Sequence, residues 1–82
     1  MKLPRDIGGK ELADLLSKYG YEITRQTGSH LRLTSSIRGS MHNVTLPNHK
    51  PLKVGTRSAA LGDAAKYLKL EKQELVRQLF GS

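Results

Sequence analysis

Apolar residues near the start of the chain recur at helical spacing. Leu12, Leu15, Leu16 and Tyr19 stand at i, i+3, i+4 and i+7, one face of an amphipathic helix, and predict a helix from about Gly9 to Tyr19. Gly8 is a permissive N-cap, Glu11 suits the positive end of the helix dipole, and Gly20 can take the left-handed conformation that stops the helix. Beyond Gly20 the period shortens to two. Tyr21 to Gln26, with β-branched Ile23 and Thr24, reads as a strand, Thr27-Gly28-Ser29 as a hairpin turn, and His30 to Ser35 as the returning strand. In the returning strand Leu31 and Leu33 share one face, so His30, Arg32 and Thr34 share the other. With the leucines in the core, His30 points outward beside an arginine.

A polar loop, Ile37 to Ser40, leads into a third strand over Met41 to Leu46. Val44 and Leu46 face inward, and the same parity puts His42 on their side or at the strand end, partly buried. Pro47 closes the strand, and Pro47-Asn48-His49-Lys50-Pro51 forms a rigid loop. A second helix is expected from about Arg57 to Lys69, with Thr56 as its N-cap and Leu61, Ala64, Ala65 and Leu68 as its inner stripe. Mid-helix Gly62 costs roughly 1 kcal/mol against Ala, which points to a close backbone approach there. Leu70 to Phe80 reads as a third, short helix, with Leu70 and Leu75 forming a hydrophobic staple around Glu71 and Glu74.

The fold class is therefore α+β, in the order helix, three antiparallel strands, helix, with an additional short C-terminal helix. Helices pack on one face of the sheet and the other face is free to carry a site. The expected core is Leu12, Leu15, Leu16, Ile23, Leu31, Leu33, Val44, Leu46, Leu61 and Leu68. At 82 residues, without repeat, linker or low-complexity tract, residues 1–82 read as one domain.

Charge adds a partner to this picture. Fourteen Lys and Arg oppose seven Asp and Glu, a formal net charge of +7, which favours a polyanion: nucleic acid, an anionic membrane or an acidic protein. The absence of cysteine excludes disulfide and thiolate chemistry and fits a reducing cytoplasm. Met1 to Asp6 has no apolar core of a signal peptide, and no run is long enough to span a membrane, so a cytoplasmic protein with no membrane partner is expected. Aromatic residues are few, so base stacking is weakly supported.

Candidate chemistry rests on histidine and on cations. Taken alone, a histidine at an exposed hairpin is more often an ordinary surface residue than a catalyst. Arg32, His49, Lys50, Lys53, Thr56 and Arg57 are candidate phosphate contacts, the last four clustering toward the start of the second helix, where free N–H groups favour an anion. Ordinary solvated loop charge is the alternative for that cluster. His49 can equally serve as a second acid or simply shape a turn between two prolines. The spacing of His30, His42 and His49 fits no metal-ligand pattern, and the parity separates His30 from His42, so no metal or other cofactor is expected.

Leu3-Pro4, Gly9-Lys10-Glu11-Leu12, Leu15-Leu16, Gly20-Tyr21, Gly28-Ser29-His30, Thr45-Leu46-Pro47, His49 and Lys53-x-Gly55-Thr56 occur in this order. As an ordered set, running from about Leu3 to Leu79, they resemble the HicA (YcfA-like) toxin family. Two positions depart from the family pattern. Arg57 stands where leucine commonly follows Gly-Thr, and the lysine cluster of many double-stranded RNA-binding domains at the start of their last helix is not reproduced. The resemblance implies a fold similar to the double-stranded RNA-binding domain. It also implies an mRNA-cleaving toxin, an mRNA interferase, held inactive by a HicB-type antitoxin. The family's catalytic histidine, in its Gly-Ser-His element, maps onto His30, with Gly28 and Ser29 in support. RNA carries its own nucleophile, the 2′-OH, so an imidazole acting as general base suffices without a metal. The reading that competes with this one is a non-catalytic RNA-binding module of the same fold.

Overall fold

In the computed structural model residues 7–81 are described; Leu3-Pro4 of the family pattern and the reading of Met1 to Asp6 lie outside them. The order is α1 (Gly9–Leu16), a 3-10 turn (Ser17–Tyr19), β1 (Glu22–Thr27), β2 (His30–Ser35), β3 (His42–Pro47), α2 (Val54–Leu68) and α3 (Lys72–Phe80). The strands form one antiparallel sheet in the order β1-β2-β3, and this α+β order is the expected one. Leu31 pairs with Leu46 and Leu33 with Val44. All four side chains are buried, as parity requires. The helices lie over that face. Leu12 and Leu16 of α1, Leu61, Ala64 and Leu68 of α2, and Leu75 and Leu79 of α3 join Leu33, Val44 and Leu46 in one core.

Two expected core residues are placed differently. Ile23 pairs with Leu33 and so lies on the core side, yet it is 41% exposed. Of the two edge strands, β3 lies under α1 and α2 while β1 lies beside them, which leaves Ile23 at the rim. Leu15 is half-buried, and Ala13 is buried in α1 beside Leu12 and Leu16. Gly9, Leu12, Ala13 and Leu16, at i, i+3, i+4 and i+7, form the buried stripe of α1, which puts Leu15 at its margin. Gly20, at φ 83, ends that turn as expected.

The close backbone approach lies at Gly9, not Gly62. A Cβ on Gly9 would stand 2.0 Å from the Pro47 carbonyl oxygen, whereas one on Gly62 would meet nothing within 4 Å. α1 therefore rests its first turn directly on the end of β3. Helix α2 also starts earlier than expected. Lys53, in extended conformation, is its N-cap, and the Arg57 N–H donates to the Lys53 carbonyl at 2.9 Å, so Thr56 falls inside the first turn instead of capping it. Arg57 is 8% exposed and faces inward, at the position where the family commonly has leucine. Leu70 and Leu75 occupy the two staple positions around the N-cap Glu71 of α3, and both pack on the core.

A polar cluster holds the β2–β3 loop to α2. The Tyr21 hydroxyl and His42 Nδ1 share a 2.8 Å hydrogen bond, and the His42 ring stacks on Tyr67 at 4.7 Å between centroids. The Tyr67 hydroxyl accepts the Arg38 N–H at 3.0 Å and donates to the Ser40 carbonyl. Burial, with smaller contributions from Tyr67 and Asp63, pushes the Tyr21 phenol up to about 12.

Two outcomes follow for stability. Gly9→Ala should destabilise by about 3 kcal/mol, the upper range for forcing atoms into a packed contact. Gly62→Ala should stabilise by about 1 kcal/mol; chemical denaturation of both variants measures the pair. For pH, Tyr21 is protonated in both the folded and unfolded chain below about pH 10, so its contribution is then fully present. Between that point and its folded value of about 12 the unfolded chain loses the proton first, and stability falls. The alkaline slope of stability should therefore be shallower in Tyr21→Phe than in the parent chain.

Candidate active site

Thr27 and His30 pair across a two-residue loop, Gly28-Ser29. Gly28 has φ 47, the positive value that a tight hairpin needs at its first loop position. The turn thus delivers His30 to the head of the central strand, between Thr27 on one side and Pro47 on the other. His30 is exposed, on the face opposite Leu31 and Leu33. The Ser29 hydroxyl lies 3.4 Å from His30 Nδ1. The Ser29 carbonyl accepts the Asn48 N–H at 2.6 Å, so the same turn anchors the loop after β3.

That loop is fastened on its other side to α1. The Gly9 N–H donates to the His49 carbonyl at 3.0 Å and the Leu52 N–H to the Ile7 carbonyl at 2.8 Å. The Leu52 side chain is buried, and the imidazole-bearing residue His49 stays exposed. A cleft of about 380 Å³ results, with His30 and Pro47 contributed by the sheet, His49, Pro51 and Leu52 by the loop, and Lys53 and Thr56 by the start of α2. A second, shallower depression of about 280 Å³ lies on the open face of the sheet, lined by Arg25, Thr27, Arg32 and Thr45. His30 borders both.

The structure thus brings His30, His49, Lys53 and Thr56 together in the cleft, and sets Arg32 beside His30 on the open face. Lys50 points elsewhere. Its Nζ is 3.3 Å from Glu11 Oε2, and Glu11 Oε1 accepts the Gly8 N–H at 2.8 Å. That backbone bond, with Lys50 adding to it, holds the Glu11 carboxyl below the usual carboxylate range. Arg57, expected as a surface cation, is buried instead. His42 is engaged by Tyr21 and Tyr67 on the core side and takes no part. Arg25, Thr27, Thr45, Pro51 and Leu52 were not legible as site residues, although the alternation of β3 does place Thr45 outward.

Among the described residues no cluster of three or more His, Asp or Glu side chains could hold a metal ion, and no helix is long and apolar enough to cross a membrane. No curated protein and no solved structure matches the chain. The family model described as HicA toxin of bacterial toxin–antitoxin matches residues 9–65. That segment begins at the glycine packed on Pro47, contains the hairpin that presents His30 and the loop that presents His49, and ends within α2; by this match the chain belongs to the HicA toxin family.

Proposed function

We propose that this toxin is a metal-independent endoribonuclease that cleaves mRNA in the cytoplasm and is neutralised by a HicB-type antitoxin, with His30 as its catalytic base. The observation that carries the reading is the cleft itself. An exposed imidazole at the head of β2 faces a space shared with a second imidazole, a lysine and the first turn of a helix. The first N–H groups of α2 have no acceptor within the helix, and the dipole adds positive potential, so a phosphate is favoured there beside Lys53 and Thr56.

The chemistry then balances within the cleft. His30 removes the proton of the ribose 2′-OH, and the 2′-oxygen attacks the adjacent phosphorus. The bond from phosphorus to the 5′-oxygen breaks. His49 contacts the same phosphate and, when protonated, gives its proton to the departing 5′-oxygen. The products are a 2′,3′-cyclic phosphate and a 5′-hydroxyl. Lys53 and Thr56 hold charge on the phosphate. Arg32 adds affinity for neighbouring backbone, whereas Lys50, paired with Glu11, is left out of that role. Gly28 and Ser29 act through position, by aiming His30. An antitoxin that covers this small exposed site, with acidic residues against its cations, is the most direct inhibitor.

His30→Ala should lose about 10²–10⁴-fold in cleavage rate, while keeping its fold and most of its RNA affinity, since affinity comes from phosphate contacts. Cleavage by the parent chain should survive a chelator, and substrates lacking the 2′-OH at the cut position should resist. Cleavage by the variant at the parent rate would leave the RNA-binding module as the function.

His49→Ala separates acid from base. It should be slow on RNA yet recover on a uridine 3′-phosphate ester of a nitrophenol, whose leaving group needs no proton, while His30→Ala stays slow on both. Equal loss on both substrates would remove His49 from the role of acid.

A further inference from the structure

The pairing of β1 with β2 slips by one residue between Ile23 and Arg25, leaving Thr24 as a β-bulge. The consequence is chemical. In a regular strand Arg25 would share the face of Ile23, toward the helices. After the bulge it pairs directly with Arg32, on the open face. The bulge is fastened there. The Thr24 hydroxyl lies 2.8 Å from the Thr34 hydroxyl, which donates to Asn43 Oδ1 at 2.7 Å, a polar chain across all three strands.

Two guanidinium groups thus project from directly opposed positions, an arrangement that is unfavourable by itself. No acid offsets it. Glu22, the acid of β1, pairs with Thr34 further along β2. Both arginines are exposed, and they line one depression together with His30. An anion between them would relieve the repulsion, and the guanidinium fork matches phosphate oxygens bidentately.

We propose that Arg25 and Arg32 form a phosphate-binding subsite for RNA on the open face of the sheet, holding the backbone phosphate next to the one at His30. The identity of that phosphate as the neighbour of the scissile one rests on the ribonuclease reading; the subsite itself does not. The strand then crosses His30 from the arginine pair toward the cleft of His49 and Lys53. Arg25 is the new member of the interface, and the bulge is the device that brings it there.

The test uses the full chain and a fluorescent single-stranded oligoribonucleotide, 2′-O-methylated throughout so that binding is read without cleavage. Anisotropy titrations at several salt concentrations compare the parent with Arg25→Gln, Arg32→Gln, the double variant, and Lys18→Gln, a charge-loss control on the helical side. Each arginine variant should weaken binding several-fold. The double variant should flatten the dependence of log K on log salt by about 1.4, at roughly 0.7 per phosphate contact for a single strand. Thermal stability should stay level or rise in Arg25→Gln, because the repulsion is removed. No binding by the parent chain, unchanged affinity in the double variant, or a loss no larger per charge than that of Lys18→Gln would overturn the subsite. So would a double variant that binds RNA normally but fails to bind an acidic antitoxin. Arginine-dependent binding by a chain that does not cleave the unmodified oligoribonucleotide would sustain the subsite and refute the ribonuclease instead.

Discussion

The backbone of Gly9 lies against the Pro47 carbonyl, closer than any side chain would permit, and the site depends on that approach. It sets the first turn of α1 on the end of β3, which lets the Gly9 N–H reach the His49 carbonyl and the Ile7 carbonyl reach the Leu52 N–H. The loop after β3 is thereby held between α1 and the Ser29 carbonyl of the hairpin. Glu11 completes the joint by accepting the Gly8 N–H and pairing with Lys50. His30 and His49 come from different parts of the chain, and the cleft exists because this joint brings their backbones to one place.

The sheet separates stability from chemistry. Its helix side carries Leu31, Leu33, Val44 and Leu46, all buried, and the residues between them face outward on the open side. A substitution on the open face therefore removes few packing contacts. The cluster of Tyr21, His42 and Tyr67 belongs to the core side, where its hydrogen bonds and ring stacking tie the β2–β3 loop to α2. One exposed histidine and one structural histidine thus occupy opposite ends and opposite faces of the same pair of strands.

The net charge of +7 is not spread evenly over functions. Arg57 is buried, Lys50 pairs with Glu11, Arg77 pairs with Glu74, and Lys72 donates to Ser58. Those cations serve the fold. Arg25, Arg32 and Lys53, by contrast, line the two hollows that His30 borders. It is their placement, rather than the total, that concentrates positive charge around His30.

Patterns with short range were legible in the sequence. The apolar period of α1, the glycine at the head of the hairpin and the alternation of Leu31 and Leu33 follow from local sterics and from the need to bury one face. They were enough to place His30 outward, and the ordered motifs were enough to point to the family. Tertiary structure decided the rest, because each remaining feature depends on a partner distant in the chain. Ile23 is exposed since the helices pack over β2 and β3 rather than β1, and Gly9 rather than Gly62 is indispensable since Pro47 lies against it. Arg57 turns inward because it continues the buried stripe of Ala60, Leu61 and Ala64 along α2, and Arg25 turns outward because a bulge interrupts the alternation that a sequence reading must assume. A period of two or of 3.6 tells which residues share a face; only the packed chain tells which faces are covered and where the period breaks.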